Sequence, residues 1–528
     1  PAAYDLYEDA VLDKPTQKGR AQVVILSLLG GQHYWPYGFE RLQAWVKAKR
    51  NRHLIIVPGD DSADPEIMQA SSADQTSVQR VWRYLREGGQ ANAENLLRFL
   101  DHHYFSGVDD WVEPIAIPNA LMVLDGNATD LHSWQNHYQA ALTQGYPVGL
   151  VLYYRSHFQS GNTQVFSDLS NILLEQGVVP LEIALSSLKD SISLELVNAL
   201  IERSQAKVIL NCTGFSANRA GSPDLASEPT DFQSAFEHPL PVLQLILSGS
   251  TEEDWQGQTQ GLRSRDVAMQ IVLPEMDGRV ITRAVSFKAL SHFHEQAQID
   301  LLRYELHPER ATFVAQLAKR YARLHALPNA EKRVAFILAN YPTKDGRIGN
   351  GVGLDTPASS VNLLRALEQA GYPIEDVPED GNALIEALLG AVTNNPNTLH
   401  QRGCWQSLSL NDYLEHFYQL PIEAQNAVWD RWGPPEEDHK CRAVDGEWRM
   451  MLAGIRLGQT FVGIQPARGF NLDLAANYHD PDLIPPHSYL AYYFWLRHVY
   501  QVDAIVHVGK HGNLEWLPGK GTALSEHC

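Results

Sequence analysis

The side chains best suited to chemistry crowd into one short stretch, Asp503 to Lys520. After the apolar run Ala504-Ile505-Val506 it carries His507, Lys510, His511, Asn513, Glu515, Trp516 and Lys520, interleaved with Gly509, Gly512 and Gly519. Imidazole and carboxylate groups accept protons near neutral pH and hold divalent cations, so this composition points to proton or metal handling. Were the stretch helical, His507, His511 and Glu515 would share one face at i, i+4 and i+8, as in a zinc hydrolase. Gly509, Gly512 and Pro518 oppose a continuous helix, and the spacing is not His-Glu-x-x-His. The expectation is a glycine-rich loop at the carboxyl end of a buried strand, where α/β proteins place reactive groups. Glu515, beside Trp516 and Leu517, is expected to be partly buried. The competing structural reading is a turn whose charges are merely solvated.

Other stretches are weaker. Gly519-Lys520 is not a phosphate-binding loop, because Leu514 stands where that motif needs Gly and Gly521 where it needs Ser or Thr. Gly349-Asn350-Gly351-Val352-Gly353 lacks the dinucleotide spacing, and eight residues separate it from the strand end at Asn340. It suits close backbone approach to a large ligand, with Lys344 and Arg347 alongside; a plain loop is the alternative. Arg155-Ser156-His157, Thr213-Gly214-Phe215 and Leu273-Pro274-Glu275-Met276-Asp277-Gly278 each follow or end an apolar run. Taken singly they read as structural turns; clustered at one sheet edge they would gain a functional reading.

The elements that must position these residues alternate between strand and helix, the pattern of βαβ units and parallel sheets. Strands are expected at 20–28, 53–57, 120–124, 148–154, 178–184, 207–211, 241–247, 269–273, 333–339, 461–465 and 503–507. Helices are expected at 37–49, within 76–104, and at 165–176, 191–204, 307–326 and 487–500. Asp355-Thr356-Pro357 adds a helix start, a polar cap followed by proline. The fold class is α/β and multidomain, with several open, mostly parallel sheets flanked by helices. Domains are expected at 1–118, 119–305 and 306–528, the last incomplete at its carboxyl end.

The 528 residues suit roughly three or four domains at ~150 residues each. A formal charge of −20 disfavours nucleic acid, whose phosphates need a basic face. Cys212, Cys404, Cys441 and Cys528 lie far apart, giving neither a zinc ribbon nor a disulfide framework. No apolar run approaches the ~20 residues of a membrane span. A cytoplasmic location is the expectation.

From His507 to Lys520 the sequence closely resembles the signature of the large subunit of aerobic cobaltochelatase, in the family that includes the magnesium chelatase H subunit. Asn340-Tyr341-Pro342 with Gly349 to Asp355, and the stretches at 155–157, 213–215 and 273–278, resemble family segments in the family's order. Lys510, Asn513 and Trp516 favour the cobalt branch. Family members are roughly twice this length.

The resemblance implies insertion of Co2+ into a corrinoid, hydrogenobyrinic acid a,c-diamide, during cobalamin synthesis. ATP and Mg2+ would be handled by two smaller AAA+ type partner subunits. It assigns Glu515, His511 and His507 to catalysis, with His511 and Glu515 as metal ligands. The ring would be held by Lys510, Lys520, Asn513, Trp516, Arg347, Lys344, Tyr341, Arg155 and His157, the cations pairing with peripheral carboxylates and the aromatics packing on its face. The alternatives are a magnesium-chelatase-like porphyrin-binding subunit, a zinc-dependent hydrolase using His507, His511 and Glu515, and a non-catalytic tetrapyrrole carrier.

Overall fold

The computed structural model describes residues 21–60, 62–217, 235–295, 299–340, 343–470, 480–510 and 512–527. Tyr341 and His511 lie outside the described residues. The chain forms two compact units. The first comprises residues 1–130, 153–167 and 183–196. Its parallel strands β1 (Val23–Leu28) and β2 (His53–Pro58) pair in register from Val23↔His53 to Leu28↔Pro58. Leu54 to Val57 are fully buried beneath helices Pro36–Lys47, Gln75–Glu87 and Gln90–Phe105.

The second unit holds residues 131–152, 168–182 and 197–528. Strands β3 (Val148–Tyr154), β4 (Val208–Asn211), β5 (Val242–Leu247) and β6 (Val280–His294) pair in parallel, and β7 (Ile299–Leu306) returns antiparallel to β6. The following helix, Pro308–Ala326, buries Ala311, Val314, Ala315, Ala318 and Ala322, a stripe at helical spacing.

A second sheet has the order β9-β10-β8-β11, with β8 (Val334–Leu338), β9 (Gly454–Leu457), β10 (Thr460–Ile464) and β11 (Ala504–Val508). β8 runs parallel to both β10 and β11. Its continuous apolar run is explained by cover on both faces. Val334, Phe336 and Leu338 pack toward Leu364, Leu384 and Leu388, while Ala335 and Ile337 pack toward Tyr413, Phe417, Tyr492 and Leu496. Each fully buried Leu, Ile or Phe among these contributes about 1.5–3 kcal/mol. The expected helix start is present: the Asp355 carboxylate accepts from the Ala358 N–H at 3.0 Å, and Thr356–Gln369 is helical.

One expectation is corrected. Residues 269–273 are not a strand: Ser264 to Met276 is helical throughout, with a π-turn at Ala268–Val272. Pro274 lacks an N–H for the helical ladder, and the wider turn before it absorbs the mismatch, Leu273 N–H reaching Ala268 O. The Gln270 side chain takes over a strand partner's role, accepting from Leu247 N–H at 2.9 Å and donating to Leu247 O at 2.8 Å. Hence the segment reads as a strand while being helical.

Candidate functional site

Parallel pairing brings the carboxyl ends of β10, β8 and β11 to one sheet edge, so the turns starting at Gln465, Ala339 and Gly509 are neighbours. Ala339 N–H donates to Val508 O at 3.0 Å, and Gln465 N–H to Leu338 O at 3.0 Å. A Cβ on residue 509 would lie 2.4 Å from the Ala339 Cβ, so only glycine lets the β11 turn leave the sheet here.

The 507–520 segment is extended through Val508 and makes a single 3-10 turn at Asn513–Trp516. His507, in a strand, and Glu515, in a 3-10 turn, therefore share no helix face, against the helical zinc-hydrolase expectation; His511 lies outside the described residues. Among the described residues, no three His, Cys, Asp or Glu side chains converge to hold a metal. His507 keeps solvent access, while protein around its ring lowers its pKa through desolvation. Its ring lies 6.3 Å from that of Tyr493, whose hydroxyl is pushed up to about 12 by burial.

Asn513 is buried and works as an anchor. Its N–H donates to Gln465 Oε1 at 3.1 Å and its Nδ2 to Pro466 O at 3.0 Å. Lys520 anchors the other end. Its Nζ donates to Gln256 O at 3.0 Å and Gln258 O at 2.9 Å and sits 4.6 Å from the centre of the Trp255 ring. The next residues continue the tie: Gly521 N–H bonds to Thr259 O, Thr522 N–H to Gln260 O, and Trp255 Nε1 to Ala523 O. Arg310 covers Trp255 at 3.9 Å, and a cavity of about 620 Å³ opens beside Lys520, Trp255 and His307.

Between the anchors, Leu514, Glu515 and Trp516 are exposed, which corrects the expectation of a partly buried Glu515. Lys510, Lys344 and Arg347 are exposed at the same sheet edge. The 343–349 turn is held by Asp345, which pairs with Arg402 at 2.9 Å and accepts from Thr393 Oγ1 at 2.6 Å. Gly349, at φ 68°, closes that turn in a left-handed conformation.

Arg155 and His157 belong to the first unit. Arg155 Nη1 donates to Ile117 O at 2.9 Å and Pro118 O at 3.2 Å, and the His157 ring meets Phe166 edge-on at 5.2 Å. In the second unit the 213–216 and 273–278 stretches do meet. Asp277 accepts from Ser216 Oγ at 2.5 Å and Ala217 N–H at 2.6 Å, and pairs with Arg279 at 2.7 Å.

Sequence reasoning missed a polar layer under the site. Asn394, Gln465 and Lys440 are buried and tie the β8 and β10 turns together. Arg468 is 2 % exposed; it donates to Asp480 O at 2.7 Å, and its Nε and Nη1 have no partner among the described residues. Gln465 carried a signal, a polar residue ending an apolar strand. Lys440, in a charged stretch, carried none.

Comparison with known proteins adds an independent line. Residues 82–528 match the family described as CobN/Magnesium Chelatase. The chain is 49% identical, over its whole length and 40% of the relative's, to the aerobic cobaltochelatase subunit CobN of Pseudomonas aeruginosa. It is 39% identical to the CobN subunit of a Sinorhizobium species, covering 96% of this chain and 39% of that one. Identity to the rice magnesium-chelatase subunit ChlH is 26%, over 72% of this chain and 26% of that one. Among solved structures, the catalytic subunit of cobaltochelatase from Mycobacterium tuberculosis superposes with a TM-score of 0.73 at 32% identity, covering 96% of this chain and 41% of that one. The chain thus spans about two fifths of the length of these cobaltochelatase relatives.

Proposed function

The chain belongs to the CobN/magnesium chelatase family, and from that premise we propose that it forms part of the tetrapyrrole- and metal-binding subunit of a cobaltochelatase. The reaction is insertion of Co2+ into hydrogenobyrinic acid a,c-diamide in cobalamin biosynthesis. ATP is hydrolysed by smaller AAA+ type partner subunits, and the protein works in the cytoplasm. The cobalt branch is favoured over magnesium by identities of 49% and 39% against 26%.

The observation carrying this reading is the sheet edge that presents Glu515 on an exposed arc between two anchors, with Lys344, Arg347 and Lys510 exposed alongside. Metalation requires the ring to lose pyrrole N–H protons and the cation to shed water. Glu515 is the base or transient ligand in this scheme, with His507 and His511 supporting it. The cations pair with peripheral carboxylates, and Trp516 packs on the ring. Arg155 and His157 lie in the first unit and Tyr341 outside the described residues, so this reading takes the ring's partners from the second unit's sheet edge alone.

The test is Glu515→Gln in the full-length protein, which keeps shape while removing the base. Corrinoid affinity should stay within a fewfold, and the metalation rate with partner subunits and ATP should fall at least ~100-fold. Near-normal turnover would assign Glu515 to structure and direct attention to His507 and His511.

A further inference from the structure

Beneath the sheet edge runs a directional chain of hydrogen bonds that begins at a buried ammonium. Lys440 is 2 % exposed, and its Nζ donates to Asn394 Oδ1 at 2.6 Å. An ammonium has donors and no acceptor, so the Asn394 amide must turn its oxygen toward Lys440 and its Nδ2 away. That Nδ2 donates to Asn340 Oδ1 at 3.0 Å and to Gln465 O at 2.8 Å. With its own oxygen thus occupied, Asn340 presents Nδ2 outward, and this donates to Lys344 O at 3.0 Å. The orientation set at Lys440 therefore passes through two amides to the backbone of the turn bearing Lys344 and Arg347. The same Asn394 nitrogen holds the backbone of Gln465, whose side chain anchors Asn513.

Lys440 is not where a lysine saves free energy. Replacing a buried charge by an apolar side chain of similar size is often neutral or stabilising, so a purely structural role would not favour lysine here. Asp438, also buried, supplies the countercharge and accepts from the Lys440 N–H at 2.9 Å. What an apolar residue could not supply is direction.

We propose that Lys440 is a positioning residue for tetrapyrrole binding: through Asn394 and Asn340 it fixes the Lys344–Arg347 turn and the β10 end that holds the signature segment. This rests on the reading of the sheet edge as the tetrapyrrole site.

The test uses three variants of the full-length protein. Lys440→Met removes the source of direction. Asn340→Asp still accepts from Asn394 but cannot donate to Lys344 O. The third variant combines both. Binding is read by fluorescence quenching with metal-free hydrogenobyrinic acid a,c-diamide, fitting Kd and the bound fraction separately, alongside amide hydrogen exchange of residues 343–349. Each single variant should raise Kd at least ~10-fold with faster exchange at 343–349. The double variant should be no more than ~3-fold weaker than the weaker single, because both cut one chain.

A structural role alone would reduce the fraction able to bind and leave Kd unchanged. That result overturns the proposal, as do multiplicative effects in the double variant. If Lys440→Met does not fold, Asn340→Asp decides alone, and an unchanged Kd overturns the proposal. Wild-type protein that fails to bind the corrinoid sinks the functional reading; wild-type binding with unaltered variants sinks only this proposal.

Discussion

A lysine held out of water keeps its proton less firmly than one in an open chain. Burial pulls the Lys440 pKa down to about 8, with Asp438 and then Cys404 opposing the shift. The ordinary value is 10.5, so between pH 8 and 10.5 the unfolded chain binds a proton that the folded chain has released. Stability from this group therefore rises with pH across that window. Integrated from pH 7.5 to 9.5, the shift is about 2 kcal/mol in favour of the wild type over Lys440→Met. Thermal unfolding of both proteins at the two pH values measures it, and a gap that does not move would show that Lys440 titrates normally. At this scale the sequence was legible in kind more than in role. Asn513 and Lys520 are polar residues in a reactive-looking segment, and both are used to hold it, one on Gln465 and Pro466, the other on Gln256 and Gln258. Residue type states which bonds a side chain can make; which partner is nearby depends on strands far away in the sequence.

Elements were easier to read, because an apolar period is written locally. β8, β10 and β11 stand where apolar runs predicted them, and the Asp355 cap is in place. The 264–276 helix was misread because Met269 to Leu273 is as apolar as a strand, while its π-turn answers to Pro274 and to the pairing of Gln270 with Leu247. The antiparallel strands Gln406–Ser409, Glu447–Leu452 and Cys441–Val444 were hidden in a region rich in Trp, Pro and charge. The junction of β8 and β11 gives a sharp test. A methyl at residue 509 would stand 2.4 Å from the Ala339 Cβ, closer than carbon atoms approach, so the two strand ends must separate. Gly509→Ala should lose about 1–3 kcal/mol in denaturant unfolding, the scale of overpacking. Ala339→Gly in the same chain should recover part of that loss, because the two side chains are the ones that collide. Equal stability of Gly509→Ala and wild type would mean that the strand ends are free to part.

Over the whole chain, charge and motif spacing lead to the prediction that it does not bind ATP. The net charge is −20, the phosphate-cradle spacing fails around Gly519-Lys520, and the Lys520 ammonium is held by two backbone carbonyls. Calorimetric titration of the chain with Mg-ATP should give no binding heat at millimolar nucleotide; stoichiometric binding would remove the division of labour with partner subunits. Among the described residues no helix is long and apolar enough to cross a membrane. The double anchorage of the signature segment has a further consequence. With Asn513 and Lys520 both pinned, the six residues 514–519 between them reach at most about 22 Å at full extension, so the anchors limit how far the arc can move. In the proposed function, the ordering entropy that this anchoring removes at folding would not be lost again when a ring arrives. In that same proposal, selectivity for one ring or one cation at this arc would then come more from its match to a preformed contour than from a closing motion.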